Sequence, residues 1–276
     1  MDLALKDKVA IVTGSGQGIG AAIARTLAEE GARVCVNDLF EERAQETAGE
    51  ITSAGGQAIA APGDVTNREQ VDAMVKAAVD EWGTVDILVN NAGIPARLGD
   101  DSGRSQVGGA GFFPDEPEAL WARVMDIITY GVLNCTQACL QYMLKQEYGK
   151  IVSIISDAGR VGEPRLATYS MAKGGVVTFS KALAKEMGRF KINVNCVSPA
   201  ATLTPALADS PVAGGGADAE GQERYRALLR QYPIGRGLER IGQPQDIANA
   251  VTFLVSDRAE WITGQTLSVN GGYSMV

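Results

Sequence analysis

Tyr169 and Lys173, in the run Tyr169-Ser-Met-Ala-Lys173, have types and a spacing that suit proton transfer. Positions i and i+4 share one helix face. A free phenol titrates near ~10, too high for a base at neutral pH, but an ammonium beside it stabilises the phenolate and lowers that value. Such a tyrosine exchanges a proton with a substrate hydroxyl while hydride moves at the carbon. Ser156, thirteen residues earlier, ends an apolar β-branched run, and its hydroxyl is placed to hold and polarise the reacting oxygen. A serine at a strand end is also an ordinary turn residue, and the Tyr/Lys spacing recurs by chance. The three residues carry weight together, and more so beside a nucleotide site.

Thr13-Gly14-Ser-Gly-Gln-Gly18-Ile-Gly20 supplies one. It lies between an apolar run and the first helical pattern. Gly14 permits a tight turn, Gly18 removes a side chain where backbone must approach a pyrophosphate, and Gly20 allows close helix packing. Free N–H groups and the helix dipole then favour phosphate. Asp38 ends the second strand-like run, about 20 residues on, where a carboxylate accepts ribose hydroxyls and repels a 2′-phosphate. Asn37 and Leu39 beside it offer no cation, which favours NAD over NADP. Asp64-Val65, after the third strand, reads either as an adenine-side contact or as an ordinary helix N-cap.

The elements that must position these residues alternate along the chain. Strands are expected at 8–13, 32–36, 57–61, 85–89, 149–155, 191–197 and 266–269. Helices are expected at 18–30, 40–54, 67–82, 118–145, 168–188 and 244–256. Such alternation implies parallel strands with right-handed crossovers, hence a single-domain α/β doubly wound sheet over 1–276 with ligand at the strands' carboxyl ends. Two segments break the rhythm: Ile94–Glu118, carrying Arg97, Arg104 and Phe112-Phe113, and the Pro/Gly-rich Ala200–Gly221. Loops this long are usually functional; the pair is expected to border the substrate, as a lid or as mobile insertions.

Composition closes off other classes. The net charge of −8, from 25 basic and 33 acidic residues, gives no basic footprint for nucleic acid and disfavours an anionic membrane. There is no histidine, so a Ser-His-Asp hydrolase is excluded and no metal site is expected. Cys35, Cys135, Cys139 and Cys196 form no CxxC pair and read as buried thiols. The short charged start does not read as a signal peptide, and no apolar run approaches ~18 residues. A cytoplasmic protein without a membrane span is expected.

Together these residues resemble the classical short-chain dehydrogenase/reductase family over essentially the whole chain. Asn90-Asn-Ala-Gly93, Pro199 with Thr204, and the tail Ile262-Thr-Gly-Gln-Thr-Leu-Ser-Val-Asn-Gly-Gly272 share in the resemblance. It implies a Rossmann-like sheet of about seven strands, a homotetramer or dimer, and catalytic roles for Ser156, Tyr169 and Lys173. It implies cofactor contacts from Gly14, Ser15, Gln17, Gly18, Ile19 and Gly20, and from Asp38, Leu39, Asp64 and Val65. Asn91, Ala92 and Gly93, Tyr169 and Lys173, and Pro199, Thr202 and Thr204 complete the set. The backbone near Ala92-Gly93 would line the cleft, Thr204 would meet the carboxamide, and Asn90 would lie on the adenine-ribose side. The substrate wall is expected to include Ala158 and Val161.

The chain also departs from the family. Ile128 stands where a fourth catalytic residue, an asparagine thought to hold a proton-relay water, is usual, and its side chain cannot bind that water. Thr129 and Asn134 are near in sequence but point elsewhere on a helix. Pro199-Ala200 replaces the usual Pro-Gly, and the 94–118 segment is longer than the family's. The expected function is an NAD-dependent dehydrogenase of a secondary alcohol, of cyclic, aromatic or acyl type. The alternatives are a 3-oxoacyl-type ketone reductase and an NAD-binding sensor without chemistry.

Overall fold

The computed structural model describes residues 2–94, 98–99, 105–106, 112–208 and 219–276. Arg97 and Arg104, and the central parts of both long segments, lie outside the described residues. The strands are β1 (Val9–Val12), β2 (Arg33–Val36), β3 (Gln57–Ala60), β4 (Ile87–Asn90), β5 (Leu98–Gly99), β6 (Ser105–Gln106), β7 (Gly149–Ile154), β8 (Ile192–Pro199) and β9 (Thr266–Val269). Seven form one parallel sheet in the order β3-β2-β1-β4-β7-β8-β9, while β5 and β6 pair antiparallel within the 94–118 segment. The order reverses between β1 and β4, and this is where a doubly wound sheet opens a crevice at its carboxyl edge.

Side-chain alternation distributes the core. In register, Ala10, Val34 and Ile87 face one side, while Ile11, Cys35 and Leu88 face the other. The first face packs on α1 (Gly18–Glu29), α2 (Glu41–Ser53) and α11 (Pro244–Leu254), through Ile23, Leu27, Ile51 and Val251. The second packs on α3 (Arg68–Trp82), α5 (Gly131–Gln146) and α7 (Ala167–Met187), through Met74, Cys139, Met143 and Leu183. Central strands covered on both faces must be apolar throughout, and β1, β4, β7 and β8 are buried at every position. Each fully buried Ile or Leu contributes about 1.5–3 kcal/mol.

The helix expected over 118–145 is interrupted. It consists of α4 (Glu118–Met125), a π-helical turn over Asp126–Tyr130, and then α5, with Gly131 N donating to Asp126 O. Shorter helices that periodicity did not reveal follow the later strands: α6 (Ala158–Val161), α8 (Pro205–Ala208), α9 (Ala219–Leu229) and α10 (Pro233–Leu238). No described helix is long and apolar enough to cross a membrane.

Candidate active site

A cleft of about 1110 Å³ opens at the carboxyl edge of the sheet. Its floor begins with the glycine loop. Gly14 and Gly18 have φ of +59° and +58°, a region that L side chains avoid. A Cβ on Gly14 would sit 2.8 Å from Ala92 Cα, and one on Gly20 would strike Gly14 O and Asn91 Nδ2. Gly20 therefore serves the closeness of the loop to its neighbours more than helix-on-strand packing. Thr13 Oγ1 accepts from Asn91 N (3.1 Å) and Ala92 N (3.0 Å), and Asn91 Nδ2 donates to Thr13 O and Gly14 O (both 2.9 Å). These bonds lock the loops after β1 and β4 together. α1 starts at the loop with no side-chain cap and no acid in its first turn, so its N-terminal N–H groups suit an anion.

Asp38 is buried beside this loop; its Oδ2 accepts from Gly16 N (3.0 Å) and its Oδ1 from Phe40 N (3.1 Å). Each oxygen keeps lone pairs for further donors, which fits a diol such as a ribose. Arg43, not singled out by the sequence, lines the same end of the cleft, with its guanidinium 4.4 Å from the Phe40 ring centroid. Asp64 is no helix cap: its Oδ1 accepts from Thr66 N, and α3 is capped by Asn67. Gln17, Ile19, Leu39, Asp64, Val65, Gly93, Pro199, Thr202 and Thr204 all line the cleft.

Three expectations need correction. Ser15 is fully buried, with Oγ donating to Val12 O (2.7 Å) and N to Asn37 O (2.7 Å), so it shapes the loop and does not face the cleft. Asn90 is also buried, its amide donating to Thr136 Oγ1 (3.1 Å) inside the sheet layer. The asparagine at the cleft is Asn91. Ala158 is buried and Val161 exposed, and neither is among the residues that form the cleft wall. Ile94, the first residue of the 94–118 segment, lines it, as do Arg123 and Ile127, which have no local signal because the docking of their helical elements brings them there.

At the other end of the cleft lie Ser156, Tyr169 and Lys173. Ser156 follows β7, and its Oγ accepts from Ala158 N (3.3 Å). Tyr169 and Lys173 occupy adjacent turns of α7, with Lys173 Nζ 5.8 Å from the Tyr169 ring centroid. Lys173 is buried and donates to Ile154 O (2.7 Å). Gly159 lets this loop meet α7: a Cβ there would lie 2.7 Å from Lys173 Cβ. Gly174 packs on Gly159 O by the same approach, whereas Gly175 meets open space. Burial raises the Tyr169 phenol above its ordinary value, partly offset by its hydrogen bond with Ser156. The expected lowering is therefore not found: burial outweighs the hydrogen bond with Ser156. Burial also brings Lys173 down to about 8, against a weaker raising influence from Cys196.

Ile128 is buried among Val124, Val132, Ile155, Ala172, Val176 and Cys196, with Tyr169 packed against the same cluster. It fills an apolar core position in the cluster against which Tyr169 packs. Asn134 is tied to Val65 O (3.0 Å) and Thr129 to Met125 Sδ (3.8 Å), so neither replaces a polar side chain at 128. Ala200 is not among the positive-φ residues, so the turn after Pro199 needs no glycine.

The Lys173 value has a stability consequence. Its folded pKa, about 8, lies below its ordinary 10.5, so the unfolded chain binds this proton more tightly. The burial penalty, about 3 kcal/mol at 1.36 kcal/mol per unit, is complete below about pH 8 and vanishes as pH rises through about 10.5. Lys173→Met is thus expected to gain most in Tm relative to the wild type near about pH 7 and to lose that gain toward about pH 10. The lost bond to Ile154 O offsets a constant part. Calorimetry across that range checks it, and a Tm difference independent of pH would contradict it.

Comparison with known proteins agrees with this geometry. A family model described as Enoyl-(Acyl carrier protein) reductase matches residues 14–274. The chain is 36% identical over 273 residues to the (2S)-[(R)-hydroxy(phenyl)methyl]succinyl-CoA dehydrogenase subunit BbsD of Thauera aromatica, covering 99% of each chain. It is 38% identical over 272 residues to the 3-oxoacyl-[acyl-carrier-protein] reductase FabG of Staphylococcus aureus, covering 97% of this chain and 98% of that one. Among solved structures, 7α-hydroxysteroid dehydrogenase complexed with NADH and 7-oxo glycochenodeoxycholic acid superposes with a TM-score of 0.83 at 35% identity, covering 98% of this chain and 96% of that one. The chain belongs to the classical short-chain dehydrogenase/reductase family and is an oxidoreductase that works between alcohol and ketone with a nicotinamide cofactor.

Proposed function

We propose that the chain is an NAD-dependent dehydrogenase of a bulky secondary alcohol, of cyclic, aromatic or acyl type. The observation that carries this reading is one cleft with Asp38 at one end and Ser156, Tyr169 and Lys173 at the other. A carboxylate with spare lone pairs suits a ribose diol and repels a 2′-phosphate. A bound nicotinamide supplies the hydride acceptor. Tyr169 takes the hydroxyl proton, Ser156 holds the oxygen, and the Lys173 charge steadies the phenolate. Gly14, Gln17, Gly18, Ile19 and Gly20 serve the pyrophosphate end, Leu39, Asp64, Val65 and Asn91 the adenosine end, and Ala92, Gly93, Pro199, Thr202 and Thr204 the nicotinamide end. The cleft, at about 1110 Å³, is large enough for a dinucleotide. The relatives' names, an aromatic acyl thioester and a steroid among them, point the same way.

The similarity to a 3-oxoacyl reductase favours a second reading, ketone reduction by the same residues in reverse. We read residues 1–276 as one domain with the 94–118 and 200–221 segments beside the substrate; Pro205 and Leu207 already line the cleft. Four free, buried cysteines suit a reducing cytoplasm, and homotetramer or dimer assembly follows from the family. The test is NADH formation from a panel of cyclic, aromatic and acyl secondary alcohols, with NADP in parallel. NADH production identifies the substrate class. Turnover with NADP alone defeats the cofactor reading, and turnover only of 3-oxoacyl ketones moves the second reading forward. NADH binding with no turnover of the panel in either direction removes the proposed substrate classes.

A further inference from the structure

The carboxylate after Ser156 is buried and takes no part in the chemistry above. Asp157 Oδ1 accepts from Ser198 Oγ (2.6 Å), and its Oδ2 accepts from Asn270 Nδ2 (2.6 Å) and Ser274 Oγ (2.9 Å). Its own N donates to Pro199 O (3.2 Å). The Asn270 amide has a fixed orientation, because its Oδ1 accepts from Gly272 N (3.0 Å) and its Nδ2 also donates to Ser274 O (2.8 Å). Asp157 therefore fastens the tail Asn270–Ser274 directly behind the loop that carries Ser156.

The tail in turn holds the opposite side of the cleft. Ile234 N donates to Gly271 O (3.1 Å), and the Tyr273 ring stacks on Tyr232 with centroids 5.3 Å apart. Gly271 and Gly272, with φ of +64° and +85°, turn the backbone against Tyr232 and Pro233 at the start of α10. Tyr273 OH also donates to Glu163 Oε2 (2.8 Å), and Glu163 N to Ser170 Oγ (3.2 Å), next to Tyr169. After α10 the chain pairs with the cleft wall: Leu203 N donates to Gly242 O (2.8 Å) and Gly242 N to Ala201 O (3.1 Å).

We propose that Asp157 is a positioning residue for the substrate: through the tail Asn270–Ser274 it sets α10, and through α10 the wall segment Ala201–Thr204, relative to Ser156. The inference rests on the dehydrogenase reading for what the wall receives, but the linkage itself is a property of the fold. A displacement of about 1 Å at a reacting group is enough for up to about 10²-fold in rate.

The test compares Asp157→Ala, Asp157→Asn and Ser274→Ala by kinetics on the alcohol found above, by NADH titration and by amide hydrogen exchange. Asp157→Ala is expected to lower kcat/KM for the alcohol by up to about 10²-fold, mostly through KM, and to weaken NADH binding to a smaller extent, because Thr202 and Thr204 also line the nicotinamide end of the cleft. It should also speed exchange in residues 201–204 and 233–242. Asp157→Asn recovers most of both, because its carbonyl still accepts from Asn270 while its amide donates to Ser198 Oγ. Ser274→Ala loosens the same segments to a lesser degree and serves if Asp157→Ala does not fold. Unchanged exchange in those segments overturns the proposal, as does a loss in kcat alone, or an Asp157→Asn chain as impaired as Asp157→Ala. If the wild type binds NADH but oxidises no alcohol, the functional reading fails and the exchange data alone decide the linkage.

Discussion

Tyr169→Phe is expected to lower kcat for the alcohol by about 10³-fold, within the range that a positioned acid–base group supplies. NADH affinity should change by no more than about twofold, because only an interaction of the reacting proton is removed. The ring itself stays: it packs against the apolar cluster of Val124, Ile128, Ile155 and Ala172, and phenylalanine preserves that packing. What is lost is the hydroxyl bonded to Ser156 and the group able to take the substrate proton. No histidine exists anywhere in the chain to replace it, and Lys173, though brought down to about 8, is turned to Ile154 O. Steady-state kinetics with a parallel fluorescence titration of NADH separates the two effects. A variant that keeps more than roughly a tenth of the wild-type rate would remove Tyr169 from the acid–base role.

The parts of this site legible in the sequence are those whose chemistry is written in local runs. The central strands are short, continuous apolar stretches, and Gly14 and Gly18 stand where positive φ is needed, so the sheet and the phosphate loop follow from residue type alone. Ser156, Tyr169 and Lys173 were readable because strand end and helix start fix their mutual placement. What escaped depends on tertiary packing. The π-helical turn at Asp126–Tyr130 keeps a helical apolar pattern, so periodicity passes through it unmarked. Asn90 and Asn91 are adjacent and alike, but one lies in β4 and turns into the sheet layer while the other, past its end, turns onto the glycine loop. Ser15 looked like a ligand contact because it sits inside the motif, yet its hydroxyl satisfies backbone carbonyls beneath it. Asp157 carries no local signal, because its donors Asn270 and Ser274 lie more than a hundred residues later.

Arg43 is the omission with the largest consequence, since it stands beside Asp38, the carboxylate on which the proposed preference for NAD rests. Asp38→Ser is expected to shift the ratio of kcat/KM for NADP to that for NAD by about 10³-fold. A like-charge contact near 4 Å costs about 4 kcal/mol at an effective dielectric constant of 20, and serine removes that repulsion together with the acceptor for two ribose hydroxyls. Arg43 lines the same end of the cleft and is the cation that a 2′-phosphate there would draw on. The same absent Cβ of Gly16 would lie 2.5 Å from Arg43 Cβ and 2.9 Å from Asp38 Oδ2, so the acid and the arginine flank one point of the loop. The arginine's contribution is then separable: adding Arg43→Ala to Asp38→Ser should cancel most of the gain with NADP and leave the residual NAD activity nearly untouched. Gly16 N and Phe40 N lose their acceptor in both variants, so any general loosening of the loop appears equally in the single and double substitutions and drops out of their comparison. If Asp38→Ser lowers activity with both cofactors to the same extent, the carboxylate is shaping the loop and not selecting the cofactor, and the proposed preference for NAD loses its basis.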